Sequence, residues 1–341
     1  MTAYVARRLL LLPVVAIGVT LLLFSLLQFL SPAERAALFV TDPRQMTQID
    51  AIIRKYGLDQ PIYVQYWAWL KELAHGDLGW SQTAHMPTSE AIAAFFPATF
   101  ELTLFIIIPV LLIGIWLGTT AAVQKDRFMD HFSRFFAISL RGLPQFVWGL
   151  IVLMVFYGGL NWFPPGRLTL DAEVFVRSPE FHHYTGLVTL DAVLNGQLWI
   201  LSDALRHIAG PALTLVLVEM ALLVRITRSS MLEVLRQDYV RTARAKGLAE
   251  PVVIRRHARR NALIPIVTYS TLLFVGLLGG VVLAETIFNY PGIGKWGAYA
   301  AVQLDIPGVT GFGIFVALLT VLGNLAADVL YAAIDPRIRL R

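Results

Sequence analysis

The residues of this chain that could do chemistry are few, and most of them interrupt long apolar stretches. Arg141 is followed closely by Pro144 and Gln145. Glu219 lies inside an apolar run, and Glu285 lies near the end of another. A charge inside a lipid bilayer is costly, so ionisable side chains in membrane segments usually line a pathway or pair with an opposite charge. These five residues are therefore candidates for the lining of a translocation path.

Four of these five positions also have a structural alternative. The Arg141 side chain can extend to the nearer membrane surface, as long cationic side chains near helix ends do. Glu219 can pair with Arg141 or with a cation on a partner chain, or it can line the path. Glu285 is better explained by a structural contact near a helix end, and Pro144 by a kink in its helix.

Two polar groups between residues 161 and 207 contain residue types that occur in enzymes and metal sites. Ser202, Asp203 and His207 are the types of a hydrolytic triad, but no nucleophile-elbow sequence surrounds Ser202. His182 and His183 are adjacent in sequence, and adjacent side chains seldom converge on one ion without further ligands. The chain has no cysteine. We therefore expect neither a catalytic site nor a metal site.

The composition places these residues in a membrane protein. Hydrophobic residues make up 57% of the 341 positions and charged residues 15%, whereas soluble domains are about half apolar and a quarter charged. Several stretches are apolar over roughly the 20 residues that a helix needs to cross a bilayer. The predicted fold class is all-α, a polytopic membrane protein with about six transmembrane helices, at 9–30, 99–123, 135–157, 208–226, 263–288 and 310–334.

Lysine and arginine residues are distributed unequally between the alternating loops. They concentrate at the N-terminus, at 125–134, at 225–260 and in the C-terminal tail. Because basic loops resist translocation, both termini and the loop 225–260 are predicted to be cytoplasmic. The net charge of +5 then needs no nucleic-acid partner. The predicted regions are a cytoplasmic N-terminus with the first transmembrane helix, an external segment, and a core transmembrane domain, at 1–30, 31–98 and 99–341.

The external segment contains two apolar patterns of helical spacing. The first runs from Ile49 to Gly57, a suitable residue for ending a helix, and the second begins after Pro61. Both are too short and too polar to span a bilayer. They predict two amphipathic helices on the outer membrane interface, with Trp67 and Trp69 at headgroup level. The second external stretch, 161–207, gives no clear pattern.

The densest cationic stretch, DYVRTARAKGL, lies between the fourth and fifth predicted spans. Helix-forming residues run up to Gly247, and Glu250 and Pro251 open another helix. A helix–glycine–helix unit in the cytoplasmic loop 228–262 predicts a rigid projection that docks into a partner; the alternative is that its cations fix topology or bind anionic lipid. Arg241, Arg244 and Lys246 would offer charge to an acidic docking rim. The candidate contact residues are Asp238, Tyr239, Arg241, Thr242, Ala243, Arg244, Ala245, Lys246, Gly247 and Leu248.

The same stretch carries a family resemblance. Arg241-Thr242-Ala243, Gly247 and the later NALIP at 261–265 resemble the Glu-Ala-Ala…Gly…Ile-x-Leu-Pro loop of ATP-binding-cassette (ABC) importer permeases, most closely the dipeptide/oligopeptide (peptide/nickel) family. The resemblance covers almost the whole chain, through GLDQP at 57–61, GDLGWS at 76–81, ETIFNYPGIG at 285–294 and DPRIR at 335–339. It departs at SPAE, 31–34, where these permeases commonly have Pro-Gly-Asp-Pro, and at Arg141.

The resemblance implies a transport subunit of the bacterial cytoplasmic (inner) membrane rather than an enzyme. In such importers the loop is a coupling helix that docks into separate ATPases, which bind ATP and magnesium. The chain has no G-x-x-x-x-G-K-[ST] phosphate loop, so it cannot bind ATP by that route and would take its energy from the ATPases. We expect no cofactor bound by this chain. The implied partners are a second, related permease, two ATPase chains and an external solute-binding protein. Gly276, Gly279 and Gly280 would offer close helix approach to that second permease.

The implied solute is a di- or oligopeptide. Relatives carry glutathione, oligosaccharides, nickel chelates or peptide antibiotics, and these stay alternatives. An ion-driven carrier is less favoured, because it predicts inverted repeats and more midplane carboxylates than this chain has.

Overall fold

The computed structural model describes residues 2–40, 44 and 49–334, with the side chains of 13–40, 44 and 49–326. The tail motif at 335–339 and its predicted cytoplasmic position lie outside the described residues. The described part is mostly helical and has one short two-stranded hairpin, which confirms the all-α fold class.

The first half of the described chain contains nine helices and one hairpin. The helices are α1 Thr2–Leu27, α2 Pro32–Ala36 with a 3₁₀ turn Ala37–Phe39, α3 Ile49–Tyr56, α4 Ile62–Ala74, α5 Thr88–Val123, α6 Phe128–Arg141, α7 Gln145–Val152 continuing as a π-helical turn Leu153–Gly159, α8 Leu170–Val176 and α9 Val188–Leu194. The strands β1 Trp80–Ser81 and β2 Met86–Pro87 pair antiparallel, with Trp80 opposite Pro87 and Ser81 opposite Met86.

The second half of the described chain begins with the longest helix. The helices are α10 Leu198–Leu235, α11 Asp238–Ala245, α12 Glu250–Val252 continuing as a π-helical turn Val253–Ala258, α13 Arg259–Leu278, α14 Val282–Ile287, α15 Ile293–Val302 and α16 Ile306–Ile334.

The chain forms two compact units. The first draws on the ranges Met1–Phe100, Leu278–Glu285 and Pro291–Leu325, and the second on Glu101–Leu277, Thr286–Tyr290 and Ala326–Arg341. The predicted regions 1–30, 31–98 and 99–341 were divided by their position relative to the membrane. The division into two units does not test them, and they stay a prediction.

Among the described residues, four helical stretches are long and apolar enough to cross a membrane. They are Thr88–Val123, Leu198–Leu235, Glu250–Leu278 and Ile306–Ala326. The second, fourth and sixth predicted spans lie within α5, α10 and α16, which contain three of these stretches. Helix α1 begins at Thr2 and covers the first predicted span except for its last three residues; its apolar part, Pro13–Leu27, is shorter than the four stretches above.

The third predicted span, 135–157, is wrong as one continuous helix. It divides into α6 and the α7 segment, whose axes are bent by 96°. Proline has no amide hydrogen to donate and pushes its preceding residue out of the helical region. Pro144 accordingly caps α7 with an extended backbone, at φ −59° and ψ 148°. Arg141 is therefore the last residue of α6 rather than a residue inside a span.

The fourth and fifth predicted spans needed corrected ends. Helix α10 has 38 residues and extends beyond the fourth predicted span at both ends, as far as Leu235. No glycine or proline interrupts residues 229–235. The fifth span ends at Leu278 because Gly280 takes φ +101°. A Cβ atom at Gly280 would lie 2.5 Å from Gly294 Cα, so this glycine serves a close contact within the chain. The prediction that Gly280 serves a partner helix is wrong in that respect.

The first unit contains the two predicted amphipathic helices, α3 and α4. Gly57 has φ +63° and ends α3, as predicted. Trp67 is 69% exposed, but Trp69 is only 5% exposed and packs against Phe24 of α1 at 5.7 Å between ring centroids. The headgroup position predicted for Trp69 is therefore wrong, because that side chain belongs to the buried stripe of α4.

The second unit contains the stretch that gave no sequence pattern. Helices α8 and α9 pack with the start of α10 around Ala172, Val188 and Ile200. The buried Glu101 carboxylate accepts hydrogen bonds from Arg167 at 2.8 Å and from the Thr189 amide at 2.6 Å. These contacts fix the segment to the start of the α5 portion in this unit.

Helices α5 and α10 approach closely at Gly114 and Gly118. The contact at Gly118 leads to a stability prediction. A Cβ atom at Gly118 would lie 2.6 Å from Thr227 Cβ and 2.8 Å from the Val224 carbonyl oxygen. We expect Gly118→Ala to force the two helices apart and to lower the free energy of unfolding by about 1–3 kcal/mol. The measurement is thermal unfolding in detergent, followed by tryptophan fluorescence.

The matched control is Gly18→Ala, also inside a helix, where nothing lies within 4 Å of the added methyl group. It should leave the unfolding temperature unchanged or slightly raised, because alanine is the better helix former. Equal unfolding temperatures for the two variants would contradict the close contact.

Candidate functional site

Helix α11 is present as predicted, and its two faces differ. Val240 and Ala243, three residues apart, are buried and pack against Val253 in the π-helical turn after α12. Tyr239, Thr242 and the charged residues of α11 are exposed. One face is therefore anchored to the chain and the opposite face is presented to the surroundings.

The turn after α11 depends on Gly247. This residue has φ +75°, which side chains with a Cβ rarely adopt. Its amide donates to the Arg244 carbonyl at 2.9 Å, and Pro251 lies in the first turn of the next helix, as predicted. Nothing lies within 4 Å of a Cβ built at this position, so the backbone conformation, and not crowding, requires glycine.

The cations of this segment are mostly paired within it. Arg241 contacts Asp238 at 3.3 Å, and Arg244 donates two hydrogen bonds to Glu250, at 3.0 and 2.6 Å, across the glycine turn. The hydrogen bond to Glu250 raises the pKa of Arg244. Of the three cations predicted to face an acidic rim, only Lys246 has no ion pair among the described residues.

Further contacts hold the segment to the helices on either side. Asn261 Nδ2 donates to the Tyr239 hydroxyl at 3.1 Å. Ser230 of α10 donates to the Ala262 carbonyl at 3.0 Å, beside the buried Met231. Residues 228–262 thus form a continuous packed unit, and displacement of α11 would be transmitted to α10 and α13.

The path candidates Arg141 and Glu219 are not paired with each other. Glu219 accepts a hydrogen bond from the Tyr269 hydroxyl at 2.9 Å, and it has no ion pair among the described residues. Arg141 is exposed and borders a surface pocket together with Arg225. Pro144 and Gln145 begin α7. Sequence reasoning missed Tyr269, since one tyrosine in an apolar span gives no signal of its partner.

Glu285 makes structural contacts in the first unit. It is fully buried, accepts from Thr99 Oγ1 at 2.6 Å and accepts from the Lys295 amide at 2.7 Å. Thr99 Oγ1 in turn accepts from the Ile293 amide at 2.8 Å. These bonds hold the start of α15. Such a structural contact is the alternative that the sequence favoured for Glu285.

Asp305 is another buried carboxylate, and it gave no sequence signal. It accepts from Ser81 Oγ at 2.6 Å, Thr83 Oγ1 at 2.7 Å and the Gly308 amide at 3.1 Å. Although burial disfavours its charged form, these hydrogen bonds lower the pKa of Asp305 below its usual value. The carboxylate joins the hairpin to the start of α16.

An ion pair between α6 and α10 also gave no sequence signal. Arg228 Nε and Nη2 donate to the buried Asp130 carboxylate at 2.5 and 2.9 Å. Two opposite charges 98 residues apart cannot be matched from one sequence. In the described residues, no group of three histidine, aspartate or glutamate side chains is placed to hold a metal ion.

Comparison with known proteins identifies two family models along the chain. Residues 111–340 match the model described as binding-protein-dependent transport system inner membrane component. Residues 1–103 match the N-terminal model of the same membrane component.

Three relatives match over nearly their whole length. The probable D,D-dipeptide transport system permease protein of Escherichia coli is 41% identical over 95% of this chain and 94% of its own. The di/tripeptide transport system permease protein of Pseudomonas aeruginosa is 40% identical over 99% of both chains. The oligopeptide transport system permease protein of Bacillus subtilis is 37% identical over 99% of both.

Helix–glycine–helix geometry at 238–250, apolar spans and full-length matches agree with one another. The chain belongs to the family of binding-protein-dependent transport system inner membrane components, as a permease subunit.

Proposed function

We propose that this permease forms half of the translocation path of an ABC importer that takes up di- or oligopeptides in the bacterial inner membrane. The names of the three relatives support a peptide solute, since each contains a dipeptide, tripeptide or oligopeptide. A related permease would supply the other half of the path, and an external binding protein would deliver the solute.

The observation that carries the proposal is the anchored helix α11 with its glycine turn. A docking element must be rigid enough to transmit displacement and must present a defined surface. The buried pair Val240 and Ala243 anchors α11, and the exposed Tyr239 and Leu248 lie in the presented segment. Two ATPase chains that close on binding ATP and magnesium would move this segment as a rigid body.

The geometry also supports one kind of docking contact over another. Arg241 and Arg244 are engaged by carboxylates of the same segment, and exposed ion pairs contribute only about 0–1 kcal/mol each. Shape and the apolar surface of Tyr239 and Leu248 therefore supply most of the docking contact, with Lys246 as the available cation. This favours mechanical coupling over binding of anionic lipid by 238–248.

One prediction of this proposal tests whether coupling requires the left-handed backbone turn at Gly247. Gly247→Val should abolish peptide-stimulated ATP hydrolysis in vesicles that contain the assembled importer, because a β-branched residue resists φ near +75°. Gly247→Asn should keep a substantial part of the activity, since asparagine tolerates the left-handed region. The assay measures phosphate release with and without peptide, after quantification of the ATPase chains bound.

The matched control is Gly196→Val in the other large polar stretch. Gly196 also has positive φ, +70°, and also has nothing within 4 Å of an added Cβ. It should keep coupled hydrolysis, because it lies outside the docking segment. Coupling that survives Gly247→Val, or that Gly196→Val removes equally, would end the coupling-helix proposal.

The second prediction concerns the sides of the membrane. The chain has no cysteine, so single cysteines can report on topology. In intact cells, Tyr184→Cys should react with an impermeant maleimide and Ala249→Cys should react only after permeabilisation, since both positions are exposed. The reverse pattern would overturn the proposed cytoplasmic position of 225–260.

A further inference from the structure

Helix α6 has an unusual position for a segment predicted to cross the membrane. Its axis is bent by 96° from the following helical segment. One face packs on α10, where Leu140 meets Met220, Ala221 and Val224. The other side exposes Phe128, Phe132, Phe135 and Ile138, at 77, 43, 73 and 73%. An amphipathic helix of this kind is typical of the membrane interface.

A groove runs along the junction between α6 and α10. It consists of two adjoining pockets, of about 330 and 530 Å³, which share Ala137, Ile138 and Arg225 as lining residues. Arg134 borders one pocket and Arg141 borders the other. The walls are thus apolar, and guanidinium groups lie around them.

The positive charge of this groove is not neutralised within the described chain. Arg228 also borders it, but the Asp130 carboxylate occupies that guanidinium. Arg134 donates to a histidine nitrogen, His131 Nδ1, at 2.9 Å. Arg141 and Arg225 have no ion pair among the residues that the structure describes. Arg134 adds to the positive charge near Asp130 without forming an ion pair with it. A groove bordered by three cations that form no ion pair among the described residues favours an anionic ligand.

We propose that this groove binds the headgroup phosphate of an anionic phospholipid, with Arg134 and Arg225 as its principal ligands. The exposed Phe135 and Ile138 would lie along the acyl chains. Guanidinium groups match phosphate oxygens in geometry as well as charge, and basic pockets between membrane helices bind lipid headgroups in this way. A free phosphate ion would leave the aromatic row of α6 without a function, so the lipid is the favoured source of the phosphate.

The principal ligands, Arg134 and Arg225, lie outside the coupling segment and are not among the translocation-path candidates. The groove lies along α6 and along α10 before Leu235, whereas coupling is proposed for 238–248. A bound lipid would stabilise the bent arrangement of α6 against α10, next to the Asp130–Arg228 pair. A negative result for the lipid site would therefore not bear on the proposed peptide transport.

The test titrates phosphatidylglycerol, with phosphatidylcholine as the neutral lipid, against the purified importer in detergent and counts bound lipids by native mass spectrometry. In the R134Q/R225Q variant we expect the affinity for phosphatidylglycerol to fall at least about tenfold, the effect of losing roughly 1.4 kcal/mol of charge-assisted hydrogen bonding. Arg141 is left unchanged, because it is also a candidate path residue.

The matched control is R127Q/R236Q, which removes the same net charge from two exposed arginines that border neither pocket. It should bind phosphatidylglycerol like the native protein. Equal weakening in both double variants would overturn the proposal in favour of diffuse attraction. Equal binding of phosphatidylcholine would overturn it as well.

Two additional measurements address the source of the phosphate and the integrity of the variant. Inorganic phosphate and glycerol 3-phosphate at millimolar concentration should not displace the lipid; displacement by either would identify a soluble anion as the ligand and overturn the lipid assignment. With all arginines native, a fluorophore on Ile138→Cys should be quenched by phosphatidylglycerol that carries a headgroup quencher. No quenching in the assembled importer would show that protein covers the groove.

Discussion

Backbone amide and carbonyl groups find no hydrogen-bond partner in hydrocarbon, so every break in a membrane helix must be satisfied by the protein itself. This chain meets the constraint with buried side chains placed at its breaks. After α13 ends near Gly280, the fully buried Glu285 accepts the Lys295 amide, and Thr99 Oγ1 accepts the Ile293 amide. Gly280 and Gly294 lie where two backbone segments come so close that a Cβ atom on either glycine would clash with the other. Glu285, a candidate path residue in the sequence, is thus explained by the need to pair backbone amides at a helix break.

The proposed coupling segment is stiff for a different reason, because no flexible linker separates it from the long helix before it. Helix α10 continues unbroken for 38 residues to Leu235, and α11 follows after two residues. The glycine turn and the Arg244–Glu250 pair then close the segment onto α12. No flexible linker separates α11 from α10, so a displacement of α11 would move α10 and α13 with it. Rigid connection is what conversion of ATPase closure into movement of membrane helices requires.

The sequence predicted those structural features that depend only on residues close together in the chain. Gly247, Pro251 and the composition of 238–246 specify helix, turn and helix by themselves, and all three are present. The bend at Pro144 was predicted as a kink, but its size depends on how α6 packs on α10. The Asp130–Arg228 pair, the Glu219–Tyr269 bond and the burial of Trp69 join residues far apart in sequence. The fold of 161–207 rests on Glu101, a residue in a different helix, and no local pattern encodes it.

The central claim is that the segment after α10 contacts a separate ATPase. The most direct measurement places a photoactivatable benzophenone maleimide on Leu248→Cys, an exposed position in an otherwise cysteine-free chain, and irradiates the assembled importer in vesicles. The account predicts an adduct with the ATPase chain, while the same probe on Tyr184→Cys should form none. Adducts at Leu248→Cys with lipid alone, in an importer that retains its ATPases, would contradict it.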